Sequence, residues 1–461
     1  MAKDLRSYLE QIEDKLLHVD RETDVVNQLG ELISQAPGPI MFHQLKDYPD
    51  WRLCDLLVKT RVFQAIALGT SPELVVPHLA ERIAKQDGSC RLVETGPVKE
   101  EIFLGAAANL FDLPIPKHSD VDSGRYIGSG MCVTKDPDTG VRNVACLRIE
   151  IKGERHTAFM MVPRDTWRHF NKWEKLGEPM PMAVAIGCHP AYDIATNVSL
   201  AYGVDELELA SALLGEPVDL VKCETIDMEV PAWSEIVIEG LVWPGVREEE
   251  GPFGEFTCFI SGEGRNPVWD VTAITRRKDA IFRQMQATEF TEHQVLCGLP
   301  MEAVIYNRIK DVNGYIDLKD VHVPPWASQW LTVVQMTAHY EGQVRDVLLN
   351  TLSSPYLHPK IAVAVDPDVN IYDPADLMWA ISTRVNPARD VLIIPDARIH
   401  PMDISCPEIS PPGESTWQRL GGKMLIDATM PSTFQGKARE RFRRCRPMGW
   451  GEVKLADFLR K

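Results

Sequence analysis

Apolar positions recur with different periods along the chain, and the changes of period divide it into three textures. Near the start Leu5, Leu9, Ile12 and Leu16 recur at helical spacing among charged residues, which predicts an amphipathic helix. Gly38-Pro39 turns into the apolar run Ile40-Met41-Phe42, a short strand, and a helical stretch over 72–85 stops near Gly88. Residues 1–110 therefore read as an N-terminal α/β region. Over 111–300 the period shortens to that of strands, at 143–152, 157–162, 182–186, 235–243, 267–276 and 280–285. Turn sequences such as Asp136-Pro137-Asp138-Thr139-Gly140 join them, and consecutive strands of this kind close into a barrel or sandwich. One helix interrupts them at 205–214, with Asp205 as its N-cap and Gly215 as its stop. Over 301–461 strands and helices alternate. The apolar strand 360–365, a helix opened by Asp373-Pro374 and running to Thr383, and a strand at 390–395 form a βαβ pattern. The fold class is mixed α/β.

Composition narrows the partners. With 461 residues the chain has room for two to four domains, and a formal charge of −17 disfavours nucleic acid and anionic membrane surfaces. An anionic substrate would need its own local arginine. No apolar run is long enough to span a bilayer, and the first helix is amphipathic where a secretory leader would be apolar, so a cytoplasmic protein is expected. The ten cysteines include no Cys-x-x-Cys pair and no zinc-type spacing with histidine, which predicts reduced thiols and no structural zinc. Gly-x-Ser-x-Gly, the Gly-x-x-x-x-Gly-Lys phosphate loop and Gly-x-Gly-x-x-Gly are all absent.

Candidate chemistry gathers at 248–258, Glu-Glu-Glu-Gly-Pro-Phe-Gly-Glu-Phe-Thr-Cys. An unbroken strand would point Glu250 and Glu255 to opposite faces, but Gly251, Pro252 and Gly254 predict a turn. Such a turn can bring both carboxylates into one cavity, where repulsion and desolvation raise at least one pKa towards that of a proton donor. Taken alone, the stretch also reads as an acidic loop at a strand end. In Asn143-Val144-Ala145-Cys146-Leu147-Arg148 the first and last residues lie an odd number apart, so a bulge or strand end is needed to bring both to one ligand. Arg148, Glu250 and Glu255 could then form a relay in which arginine keeps one carboxylate ionised while the other exchanges a proton. Asp366-x-Asp368 reads as a polar loop after a buried strand, and the basic stretch 437–446 as a solvated helix or a subunit contact.

These stretches, with several others, make the chain resemble the UbiD-type decarboxylases, the family that uses prenylated FMN. The likeness runs through Asn143 to Arg148, Gly187-x-x-Pro190-Ala191, Glu206 opening its helix, Val221-Lys222-Cys223, Val230-Pro231-Ala232, Ser234 to Gly240 and Glu250-Gly-Pro-Phe-Gly-Glu255. It continues in Glu292-His293, Leu299-Pro300-x-Glu302-Ala303, Asp366-x-Asp368-Val369, Trp379-Ala380 with Thr383-Arg384, and Gly422-Lys423.

The resemblance implies an N-terminal α/β region (1–110), a central flavin-binding split β-barrel (111–300) and a C-terminal α/β domain with an oligomerisation tail (301–461), assembled as a homodimer or homohexamer. It implies prenylated FMN, supplied by a separate flavin prenyltransferase, with its phosphate held through Mn²⁺ or Mg²⁺ and with K⁺ as a further ion. Asn143 and Glu206 match the family's metal ligands, and Asp165 stands where some relatives carry a histidine; oxygen ligands of this kind suit such cations. Cys146, Leu147, Arg148, Arg164 and Lys423 join those three as implied cofactor contacts. Glu255 is the implied proton donor, while Arg148 and Glu250 orient the substrate carboxylate. His293 matches a position near the substrate in some relatives, and Phe256, Phe259 and Trp326 could line a flat pocket or pack in a core. The expected reaction is reversible loss of CO₂ from an aromatic, heteroaromatic or α,β-unsaturated acid, with an aromatic diacid coenzyme A thioester as the alternative. A plain FMN oxidoreductase on a split barrel would leave the arginine and two glutamates without a purpose. A non-catalytic subunit of a larger decarboxylase would be expected to have lost one of them.

Overall fold

The computed structural model describes residues 4–459 apart from 290, 313, 315 and 410–417. The first helix, Leu5–Gln11, is capped by Asp4, whose side chain accepts the Ser7 N–H, and it buries Leu5, Tyr8 and Leu9. It stops before the predicted stripe does, because a 3₁₀ turn at Glu13–Lys15 carries the chain on to Leu16, which is still buried. Ile40–Phe42 forms the expected strand between Leu17–Val19 and Arg52–Asp55. The fourth strand of that sheet is Ile281–Arg283, parallel to Arg52–Asp55, so the stretch predicted at 280–285 leaves the central sheet and ties it to the N-terminal one.

The central sheet contains β1 (Tyr126–Ile127), β2 (Met131–Lys135), β3 (Arg142–Cys146), β4 (Ile149–Ile151), β5 (His156–Phe159), β6 (Met180–Ile186), β7 (Ile236–Glu250) and β8 (Gly264–Arg276). Their hydrogen-bonded order is β1-β4-β5-β8-β7-β6-β2-β3, with Glu101–Leu104 also pairing with β8. Leu147 and Arg148 alone separate β3, at one end of this order, from β4 near the other end. A trans peptide unit spans at most about 3.8 Å, so the two ends of the sheet must curl back on each other. The result is a barrel left open along one seam, and the 147–148 link crosses that seam. Three residues, 128–130, cross it a second time between β1 and β2. A Cβ at Gly128 would lie 2.5 Å from the Met285 carbonyl oxygen and one at Gly130 would lie 2.5 Å from Val184 Cγ1, so the crossing has no room for a side chain at either glycine.

The strand predicted at 143–152 is thus two strands, and the one predicted at 235–243 is a single 15-residue strand ending at Glu250. Register shifts near Gly240 and between Val242 and Arg247 let that long strand bend with the barrel. Two helices pack beside the sheet: α1 (Asp165–Leu176), and α2 (Glu206–Leu214) with Asp205 as N-cap and Gly215 at φ 72° as its stop, as the sequence predicts.

A third helix, α3 (Glu292–Val312), leads into a five-stranded sheet of β9 (Asp317–His322), β10 (Leu331–Thr337), β11 (Ile361–Val365), β12 (Val391–Ile399) and β13 (Arg419–Ala428). Its order is β9-β10-β11-β13-β12. The βαβ unit expected around α5 (Pro374–Arg384) differs from the observed arrangement. β12 returns antiparallel to β13 at the sheet edge, and the parallel partner of β11 on that side is β13. A βαβ unit does occur one step earlier, where β10, α4 (Gln343–Leu352) and β11 connect two parallel strands. The exposed residues along β12 suit an edge strand and account for the difference. Asp366 accepts from Arg439 and from the Met430 N–H, and Asp368 forms a two-pronged pair with Arg384, so both aspartates serve loop structure and the basic tail is pinned to the sheet.

A buried ionic latch joins the N-terminal region to the last segment. Arg61 pairs with Glu302 on α3, whose other oxygen accepts from His322 Nδ1 at 2.8 Å and from the Val323 N–H at 2.8 Å. Burial would raise the Glu302 pKa, but Arg61 and His322 hold it down at about 2. A carboxyl with a depressed folded pKa contributes stability above its unfolded pKa and loses it as pH falls through the folded one. Glu302→Gln is therefore expected to cost about 3 kcal/mol at neutral pH, since it leaves a buried arginine unpaired. Urea denaturation would show the gap to wild type narrowing below about pH 4.

Candidate active site

The seam is where the candidate residues meet. β3 ends at Cys146 and β4 begins at Ile149, so Arg148 sits in the link, freed from the strand alternation. β7 ends on Glu250, and Gly251, at φ 93°, opens the predicted turn in a backbone conformation that a side chain would strain. Phe253–Gly254 then pairs with Ile260–Ser261 and carries Glu255 back towards the barrel.

Arg148 binds both carboxylates. Its Nε and Nη2 donate to Glu250 Oε1 and Oε2 at 2.9 and 2.8 Å, a two-pronged contact. Its Nη1 donates to Glu255 Oε1 and to Ser261 Oγ. The guanidinium lies over the Phe253 ring, 4.9 Å from its centre, and Asn266 Nδ2 adds a further donor to Glu250 at 3.2 Å. All three charged groups are buried. Burial raises the Glu250 pKa above its ordinary value; Arg148 works against this, and the charges of Glu150 and Glu255 add to it. For Arg148 burial opposes the charge, but Glu255 and Glu250 raise its pKa above the usual arginine value, so it stays protonated. One cation between two carboxylates leaves a net negative cluster that can take up a proton and give it back.

Glu255 also lines a cavity of about 200 Å³ with Cys146, Leu147, Arg148, Met160, Asn197 and Phe256. This cavity shares Met160, Glu255 and Met402 with a wider cleft of about 610 Å³, which falls in the range of ligand pockets. The smaller cavity is lined by the rings of Phe256, His293, His358 and His400; Phe256 meets those three and Trp330 at 5.5–5.8 Å, and the His358 and His400 rings lie 4.2 Å apart. Burial lowers the pKa of His293 and His358 and pushes that of His400 down to about 3, with Arg164 adding to the last two, so these imidazoles are neutral. His293 and Phe256 thus lie at the cavity, whereas Phe259 is exposed and Trp326 lines a different hollow beside the Arg61–Glu302 latch. His358 and His400 were missed by sequence reasoning. They come from loops before β11 and after β12, with no local motif to mark them.

Of the residues implied for a metal and cofactor, Asn143 is on β3, Asp165 opens α1 and Glu206 opens α2. Glu206 Oε2 accepts the Val144 N–H at 2.7 Å, and Asn143 Nδ2 donates to Thr166 Oγ1 at 2.9 Å. Asp165 is near enough to raise the Glu206 pKa, although burial is the main cause of its rise. Among the described residues no lysine or arginine pairs with Glu206, and no group of three His, Cys, Asp or Glu is placed to hold a metal. A cation here would rest on one amide and two carboxylates, a hard oxygen set that fits Mn²⁺ or Mg²⁺. Arg164 reaches towards the histidine wall, while Lys423 lies apart, donating to the Leu352 carbonyl at 2.6 Å from within β13. All ten cysteines are free thiols, and among the described residues no helix is long and apolar enough to cross a membrane.

Residues 91–288 match the family model described as the 3-octaprenyl-4-hydroxybenzoate carboxy-lyase Rift-related domain, and residues 294–428 match the corresponding C-terminal domain. The chain is 31% identical over 430 residues to an anhydromevalonate phosphate decarboxylase of Methanothermobacter thermautotrophicus, covering 93% of this chain and 97% of that one. It is 28% identical over 453 residues to a phenolic acid decarboxylase of Bacillus subtilis, covering 93% of each. Among solved structures, the UbiD-class enzyme HmfF from Pelotomaculum thermopropionicum in complex with FMN superposes with a TM-score of 0.89 at 36% identity, over 99% of this chain and 100% of that one. An evolved dimeric form of HmfF in complex with prFMN superposes with a TM-score of 0.86 at 35% identity, over the same shares.

Proposed function

We propose that this chain, which belongs to the UbiD family of carboxy-lyases, releases CO₂ from an aromatic or heteroaromatic carboxylic acid with the help of prenylated FMN. The observation that carries this reading is the single guanidinium of Arg148 gripping Glu250 by two bonds and Glu255 by a third at the cavity edge. When bound, prenylated FMN supplies the electron sink that lets a carboxylate leave as CO₂. The chain's residues supply position and protons. Arg148 can turn its charge to the substrate carboxylate when Glu255 carries its proton, and Glu250 holds that guanidinium in place. Glu255 is the group on the cavity wall able to give a proton to the carbon left behind. Phe256, His293, His358 and His400 line the cavity with aromatic rings, the imidazoles set at steep angles to Phe256, and these edges and faces favour an aromatic ring over a flexible chain.

The cleft leading in supports a free acid over a phosphate or coenzyme A derivative. Glu249, Glu255, Glu263 and Glu408 line it against Arg265 and Arg419, four carboxylates to two guanidinium groups. An acidic mouth repels polyanions. The test is to purify the protein with and without a co-expressed flavin prenyltransferase and screen aryl acids for anaerobic CO₂ release. Release from free aryl acids only by the loaded protein is the expected result; NAD(P)H consumption without CO₂ would support an oxidoreductase instead.

Asn143, Asp165 and Glu206 are the residues we assign to a divalent cation. Glu206→Ala is expected to lower the Mn²⁺ content of the purified protein at least about tenfold, read by elemental analysis, since a third of the protein's ligands is lost.

A further inference from the structure

Two buried carboxylates outside the catalytic set grip the turn that carries it. Asp122, 3% exposed, accepts the Gly254 N–H on Oδ1 at 2.8 Å, one residue before Glu255. Glu150, 2% exposed and on β4, accepts the Gly251 N–H on Oε2 at 3.1 Å, one residue after Glu250. Between them the Ser123 N–H donates to the Pro252 carbonyl at 2.9 Å, and the Phe253 ring packs against Tyr126 at 4.7 Å and His118 at 5.9 Å. Segment 118–126 and Glu150 therefore hold residues 251 to 254 one after another. The fit is close, since a Cβ on Gly254 would lie 2.5 Å from Ser119 Oγ. Each carboxylate is anchored in turn: Asp122 Oδ2 accepts the His118 and Ser119 N–H groups at 3.0 Å each and Oδ1 also accepts Ser119 Oγ, while Glu150 Oε1 accepts Ser123 Oγ at 2.7 Å and Lys152 Nζ at 2.8 Å.

We propose that Asp122 and Glu150 are positioning residues for the decarboxylation, fixing the two ends of the 251–254 turn so that Glu250 stays on Arg148 and Glu255 stays aimed into the cavity. This rests on the decarboxylase reading above. A turn bounded by glycines has little stiffness of its own, so the position of Glu255 depends on what holds its backbone. A proton donor displaced by about 1 Å can cost about a hundredfold in rate.

Asp122→Asn isolates one bond. Oδ2 faces two N–H donors and must remain an oxygen, so the new NH₂ replaces Oδ1, where Ser119 Oγ can rotate to accept but the Gly254 N–H cannot. Only the grip on Gly254 is lost. Glu150→Ala removes the grip on Gly251 as a second, independent variant, and Glu302→Gln, far from the turn, serves as the comparator for stability lost elsewhere. Two readouts are taken. In the cofactor-free protein, hydrogen–deuterium exchange of the peptide over 250–258 is expected to speed up about tenfold in Asp122→Asn and Glu150→Ala and to stay at the wild-type rate in Glu302→Gln. In the loaded enzyme, kcat is expected to fall about 20- to 100-fold with KM within about threefold, a loss that Glu302→Gln does not share. Unchanged exchange in Asp122→Asn overturns the proposal, as does faster exchange with wild-type kcat. Should the wild-type loaded protein release no CO₂ from any aryl acid, the decarboxylase reading fails, and the exchange experiment still decides whether Asp122 and Glu150 hold the turn.

Discussion

Glu255→Gln is expected to lower kcat for CO₂ release by about 10²- to 10⁴-fold, the range that removal of a positioned acid usually costs. KM should stay within a few fold, because glutamine keeps the shape of the side chain and can still accept from Arg148. What it cannot do is give up a proton and take it back. The loss should fall on the step in which the carbon that held CO₂ is protonated, which is read by comparing steady-state turnover with exchange of labelled CO₂ into the substrate. Exchange that survives while net turnover collapses places Glu255 at the proton transfer. Wild-type turnover in the variant would remove Glu255 from that role.

The other large effect is on Arg148. Arg148→Ala is expected to abolish turnover and to cost about 3–5 kcal/mol of stability at neutral pH, because it leaves buried Glu250 without its cation. The pH dependence has a definite sign. With Arg148 gone, burial and the charges of Glu150 and Glu255 remain, and all of them raise the Glu250 pKa. A carboxyl whose folded pKa is raised is tolerated while protonated, below its unfolded pKa, and destabilises as pH climbs through the folded one. The deficit of the variant should therefore be small near pH 4 and grow towards about pH 8. Arg148→Lys should recover only part of it, since an ammonium cannot make the two-pronged contact with Glu250. Urea denaturation across that pH range measures both; a deficit that shrinks with rising pH would contradict the electrostatic account.

The meeting of Arg148, Glu250 and Glu255 was legible in the sequence for a physical reason. Glycine and proline at 251–254 forbid a continuous strand, and the odd spacing of Asn143 and Arg148 required a break that the structure supplies between Cys146 and Ile149. The helix over Glu206–Leu214 was equally readable, because both of its caps are local. Sheet membership was not. Whether 281–283 joins the barrel or the N-terminal sheet is decided by its pairing with Arg52–Asp55, more than two hundred residues earlier, and no local pattern records that. The same holds for β12, whose apolar run suits an interior strand but which packs at an edge. His358 and His400 lay beyond reach because a neutral buried imidazole is defined by its surroundings, and those come from stretches of chain far apart in sequence, around Arg164, Phe256 and Trp330.

Part of the ring cluster comes from a different region of the chain than the carboxylates: Trp330, His358 and His400 lie in connections around the last sheet, while Phe256 follows Glu255 directly and shares its turn. Grafting the loops at 353–360 and 400–406 from a relative with a different acid would be an economical route to a new specificity, since none of the groups that handle charge or protons would be exchanged.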